Sequence, residues 1–120
     1  MALRGLDHVT VNCADLEKSR AFYAGALGLA DGERPPLPFP GAWLYAGGRA
    51  VVHLVGGARA ATDTGSFDHV AFDAENFDAM RARLCDHEIA FGENDLPSFG
   101  LRQLFFLDPD GVKIELNFRG

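Results

Sequence analysis

Leu6-Asp7-His8-Val9-Thr10-Val11-Asn12 returns 61 residues later as Phe67-Asp68-His69-Val70-Ala71-Phe72-Asp73: an apolar residue, Asp, His and Val, then alternating small and branched residues. A second match, at a spacing of 62, pairs Ala50-Val51-Val52-His53-Leu54-Val55 with Val112-Lys113-Ile114-Glu115-Leu116-Asn117. Each member of that pair sets a polar side chain inside an apolar strand. Self-similarity at a fixed spacing marks a repeated structural unit. The 120 residues are therefore expected to form one domain made of two like modules, at about 5–56 and 67–118, joined by a linker over 57–66.

Between these anchors the two halves carry the same order of elements. Asp15 is placed to cap a helix that carries Leu16, Phe22, Tyr23 and Ala26 and ends at Gly28, a C-cap glycine. Asn76 is placed to cap a second helix with Phe77, Met80, Leu84 and Cys85 on one face. Strand-like segments follow each helix and end in a hairpin, turning at Gly47-Gly48-Arg49 and at Asp108-Pro109-Asp110-Gly111. Each module reads β-α-β-β-β, an α+β class. Residues 30–41, with Pro35, Pro36, Pro38 and Pro40, read as a stiff excursion without regular structure. Gly92 to Gly100 reads as irregular at the matching place, and Gly56 to Ala61 as a pliant linker.

Strand side chains alternate faces. His8 shares a face with Thr10 and Asn12, while Val9, Val11 and Cys13 point the other way. His53 opposes Val52 and Leu54, His69 opposes Val70 and Phe72, and Glu115 opposes Ile114 and Leu116. One face is apolar enough to lie under the helices; the other collects three histidines and a glutamate. A three-residue hairpin loop would set Trp43 opposite His53 and Phe105 opposite Glu115, whereas a two-residue loop would turn both rings to the helix side. Imidazole and carboxylate groups facing an apolar concavity are costly without partners. One divalent metal per site removes that cost. Nitrogen and oxygen donors together suit Zn, Ni, Fe(II), Co or Mn better than Ca or Mg.

Charge and composition narrow the partners. The net charge is −6 and the pI about 5.0, so the field repels nucleic acid and anionic membrane surfaces. No apolar run approaches the roughly 18 residues of a membrane span and no signal peptide is evident, so a cytoplasmic protein is expected. Cys13 and Cys85 lack metal-binding spacing and are expected in the core.

The repeat resembles the vicinal oxygen chelate superfamily, which includes glyoxalase I, methylmalonyl-CoA epimerase, fosfomycin-resistance thiol transferases, extradiol dioxygenases and bleomycin-resistance proteins. The resemblance runs from Leu6 to Phe118 and rests on DHV at 7–9 and 68–70, FYAGALGL at 22–29 and FLDPDGVKIEL at 106–116. It implies tandem βαβββ modules forming a cupped eight-stranded mixed sheet with helices on the outer face. It also implies metal ligands at His8, His53, His69 and Glu115, His53 standing where glyoxalase I and the epimerase usually carry Glu or Gln.

The implied activity is that of a metal-dependent, glyoxalase-like lyase or isomerase. It would act on a small α-oxo compound or its thiol adduct by chelating two adjacent substrate oxygens. Glu115 is the first candidate for moving the proton and His53 the second, with Trp43, Phe105 and Thr10 lining the substrate site. The alternatives are a small extradiol-type Fe(II) dioxygenase and a non-catalytic module that sequesters an aromatic ligand. A phosphonate-binding transferase is disfavoured by the acidic stretch Gly92 to Phe99. A homodimer is expected, with each site built within one chain or shared between two.

Overall fold

The computed structural model describes residues 5–57 and 67–119. The chain divides into two compact units, Met1–Ala60 and Ala61–Gly120. Most of the expected linker, residues 58–66, lies outside the described residues.

The first unit runs β1 (Val9–Asn12), α1 (Leu16–Arg20, widening into a π turn over Ala21–Ala26), β2 (Ala30–Gly32), β3 (Gly41–Ala46) and β4 (Arg49–Val55). Its open sheet has the order β1-β4-β3-β2, with β1 and β4 parallel and the other pairs antiparallel. The second unit repeats this plan with β5 (Val70–Ala74), α2 (Phe77–Asp86), β6 (Gly92–Leu96), a 3-10 turn at Pro97–Phe99, β7 (Leu101–Leu107) and β8 (Lys113–Arg119). Its order is β5-β8-β7-β6, again with the outer pair parallel. Both units are βαβββ, as the repeat predicts. A parallel pair needs a crossover, and in each unit the helix and two strands supply it.

Local chemistry explains the elements. Asp15 has extended backbone and its carboxylate accepts from the Lys18 amide at 3.2 Å, satisfying a donor the first helical turn leaves open. The π turn closes with Leu27 N–H donating to the Phe22 carbonyl, five residues back, at 3.1 Å. This wider turn puts the adjacent residues Phe22 and Tyr23, and then Ala26 and Leu27, into the core together. Gly28 follows at φ +79°, and Leu29 N–H returns to the Tyr23 carbonyl at 3.0 Å, the bond expected of a left-handed helix ending. Asn76 precedes α2 as expected but caps it differently. Its backbone is left-handed, at φ +65°, and its side chain makes no capping bond.

The apolar faces do bury. Leu44, Val52 and Leu54 are fully enclosed in the first unit, and Leu84, Leu104 and Ile114 in the second. Each such side chain contributes roughly 1.5–3 kcal/mol. Phe77 of α2 meets Phe118 edge to face at 5.2 Å and carries the Arg102 guanidinium over its ring at 3.6 Å.

The two hairpins reach the same register by different devices. Asp108 and Val112 close a three-residue loop in which Gly111 takes φ +88°, and the Asp108 carboxylate accepts from the amides of Asp110 and Val112. Phe105 then stands opposite Glu115, as the three-residue reading predicts. The first hairpin corrects that reading. Ala46 pairs with Arg49 across a two-residue turn whose Gly47 and Gly48 both have positive φ. A bulge between Leu44 and Tyr45 in the register leaves Val51 as the extra residue on β4, so Trp43 still faces His53.

Three other expectations are corrected. Ala30–Gly32 and Gly92–Leu96, read as irregular, are strands β2 and β6. Their sequences ADG and GENDL have poor strand propensity, but backbone pairing along the edges of β3 and β7 overrides it. Cys85, expected in the core, is exposed, whereas Cys13 is buried as expected. Met80 is only half-buried, so the inner face of α2 is carried by Phe77 and Leu84.

Candidate metal and substrate site

In the second unit the site grows from the Asp68-His69 pair ahead of β5 and from Glu115 in β8. The Asp68 carboxylate is an acceptor only, so the 2.8 Å contact to His69 Nδ1 assigns the ring proton to that nitrogen. His69 Nε2 then presents a lone pair, and it lies 3.3 Å from Glu115 Oε1, itself an acceptor. Two acceptors facing each other call for a cation between them, either a proton or a metal ion. This donor pair, imidazole nitrogen and carboxylate oxygen with the far ring nitrogen anchored by a second carboxylate, is the arrangement that holds zinc and its neighbours.

The first unit repeats the anchor. His8 Nδ1 lies 2.7 Å from Asp7 Oδ2, which leaves His8 Nε2 as the donor atom. The hydrogen bond from His8 holds the Asp7 carboxyl below its usual range; the bond from His69, aided by the Lys113 charge, does the same for Asp68. His53 differs. Its Nε2 is 3.2 Å from the Ala50 carbonyl and must carry the proton, so the free atom is Nδ1. Its ring is sandwiched, 3.7 Å from the His8 ring at 10° and 4.0 Å from Trp43 at 11°. Burial, then the nearby His8 charge, lowers its pKa from the ordinary 6.5.

A family comparison decides what this arrangement belongs to. The model of the Glyoxalase/Bleomycin resistance protein/Dioxygenase superfamily matches residues 5–116. The chain belongs to that superfamily. Glyoxylase I 4 of Arabidopsis thaliana is 31% identical over 95% of this chain and 70% of its own length. The glyoxylase/bleomycin resistance protein/dioxygenase domain from Frankia matches at 26% identity and TM-score 0.81, over 99% of this chain and all of that one. TnmS3, an antibiotic binding protein from Streptomyces, matches at 28% identity and TM-score 0.75, over all of this chain and 99% of that one.

For a member of this superfamily, the four expected ligands fall as two pairs, His8 with His53 in the first unit and His69 with Glu115 in the second. Among the described residues, no three His, Cys, Asp or Glu side chains gather into a metal-binding group. Thr10 is exposed and stands opposite His53 in the register, and Phe105 is half-buried opposite Glu115. Trp43 also lines an open depression of about 520 Å³ with Glu33, Arg34, Pro35 and Tyr45. The proline-rich excursion shapes this hollow. Arg34 donates to the Phe39 carbonyl at 2.7 Å, and the Tyr45 hydroxyl donates to the Glu33 carbonyl at 2.7 Å. Gly41, where β3 begins, leaves no room for a side chain, because a Cβ there would sit 2.5 Å from the Leu54 carbonyl and 2.9 Å from an Arg34 nitrogen.

Sequence reasoning gave no role to Gln103, Asn117 or Asn94. The register that sets Phe105 opposite Glu115 also sets Gln103 opposite Asn117, and that was the signal available.

The neutral His53 has a measurable consequence. In chelator-stripped protein its ring is expected to titrate with a midpoint below 6.5, read by imidazole NMR. Because the unfolded chain takes up this proton first, folding stability falls as the pH drops below about 6.5. A midpoint at or above 6.5 would show that the ring is not sandwiched as described.

Proposed function

We propose that the protein is a metal-dependent, glyoxalase-like lyase or isomerase acting on a small α-oxo compound or its thiol adduct. The observation that carries this reading is the acceptor pair His69 Nε2 and Glu115 Oε1, anchored from behind by Asp68. His8, His69 and Glu115 would hold one divalent ion, with His53 as a fourth or exchangeable ligand through Nδ1. When bound, the ion supplies Lewis-acid polarisation of two adjacent substrate oxygens. Glu115 Oε1, on leaving the ion, would take the proton from the substrate carbon beside the carbonyl, and His53 Nδ1, unprotonated by virtue of its lowered pKa, would be the second acceptor when it swings free of the ion. Trp43, Phe105 and Thr10 orient the substrate. The similarity to Glyoxylase I 4 supports this class of chemistry.

The test is elemental analysis of protein purified without chelator or polyhistidine tag, followed by isomerisation assays on hemithioacetals of α-oxoaldehydes. About one equivalent of divalent metal per site and metal-dependent exchange of the substrate carbon-bound hydrogen with solvent are expected. Stoichiometric absence of metal after loading would overturn the reading.

A second reading, sequestration of a flat ligand, is favoured by one observation, the ring stack His8–His53–Trp43 beside the open depression. Metal content separates the two readings, and Trp43, the sole tryptophan, reports on the stack by its fluorescence. Metal binding at His8 is expected to shift the emission through the stack. An unchanged spectrum across a titration with proven metal uptake would remove Trp43 from the site.

A further inference from the structure

Glu115 is not held by its histidine neighbour alone. Asn117 Nδ2 donates to Glu115 Oε2 at 2.9 Å, and Gln103 Nε2 reaches the same oxygen at 3.4 Å. Gln103 Nε2 also donates to Asn117 Oδ1 at 2.9 Å, and Asn94 Nδ2 donates to Gln103 Oε1 at 3.1 Å. All four bonds point the same way. Asn117 and Gln103 each use the amide oxygen to receive from the residue farther from the carboxylate and the nitrogen to donate towards it, so flipping Asn117 would set oxygen against oxygen. The relay spans three strands, β6, β7 and β8, and ends on one carboxylate oxygen. The first unit has no counterpart: the positions matching Gln103 and Asn117 are Gly41 and Val55, paired in the same register.

We infer that Gln103 and Asn117, backed by Asn94, are positioning residues that occupy Glu115 Oε2 and so present Oε1 alone to the cation. This rests on the metal-dependent reading above. A free carboxylate can turn to bind through both oxygens; one whose second oxygen already receives two N–H donors binds through one, which keeps a coordination position open for substrate.

The test uses the full chain stripped of metal and titrated with Co(II), read by its visible d–d absorption. Substituting Asn117→Leu or Gln103→Met removes the donors while keeping side-chain size. Each is expected to weaken Co(II) binding by about 10–100-fold, the usual range for residues behind a ligand. The absorption band is also expected to lose intensity as the freed carboxylate raises the coordination number, a change that loss of packing alone would not produce. Should Asn117→Leu fail to fold, Asn94→Ala on the exposed edge strand removes only the outermost donor and is expected to weaken binding less, in the same direction. Wild-type affinity and band shape in these variants, with binding lost in Glu115→Gln, would overturn the positioning role and leave the metal reading standing. Failure of the wild-type chain to bind Co(II) would overturn both.

Discussion

Replacing Glu115 by Gln is expected to lower divalent-metal affinity by at least about 100-fold, beyond the usual range for residues behind a ligand, while leaving the fold intact. The amide oxygen of a glutamine can still receive the bonds from Asn117 and Gln103, because it takes the place of Oε2. Its NH₂ group then points at His69 Nε2, where the native protein has a second acceptor at 3.3 Å. The substitution thus turns an acceptor facing an acceptor into a donor facing an acceptor, and the local need for a cation disappears. His69→Ala removes the other half of the pair and is expected to lose metal to the same extent. Metal content after dialysis, measured alongside the thermal melt of the chelated protein, checks both. If both variants keep wild-type metal with unchanged affinity, the pair is not the ligand set.

For a proposed site shared between two chains, mixing a His8→Ala chain with a Glu115→Ala chain is expected to restore metal binding that neither chain shows alone. One pair of proposed ligands lies in each unit, His8 with His53 and His69 with Glu115. If a site joins the first unit of one chain to the second unit of another in a two-fold dimer, a mixed dimer holds one intact site and one doubly damaged site. After statistical exchange half the dimers are mixed, so about a quarter of wild-type metal content is expected. Sites built within one chain would all remain damaged. No recovery despite proven subunit exchange assigns the site to a single chain, and a monomer on sedimentation removes the dimer itself.

Much of the architecture is legible in the chain because it depends on period and repetition. The paired DHV motifs place two first strands, and alternation in AVVHLV and VKIELN sets His53 and Glu115 on the face opposite Val52, Leu54, Ile114 and Leu116. Asp15 and Gly28 bound the first helix through local backbone chemistry that needs no tertiary partner. These features follow from interactions between residues near in sequence, or from a simple two-residue period.

What the tertiary structure decided depends on atoms brought together from distant positions. Edge pairing made strands of ADG and GENDL against their propensity, and a bulge around Val51 restored the Trp43–His53 register that a two-residue glycine turn alone would have shifted. The proton positions on three histidines follow from which oxygen each ring meets: Asp7, Asp68 and the Ala50 carbonyl. Asp7 and Asp68 are sequence neighbours of their histidines, yet the same adjacency permits a carboxylate pointing into solvent. The amide relay onto Glu115 needs three strands in register before any of its bonds can form. Sequence by itself determined which residues share a face, since backbone geometry dictates it; only the folded chain decided which atoms of those residues meet, because hydrogen bonds and ring contacts are set by side-chain torsions and distances of a few ångströms that no periodicity encodes.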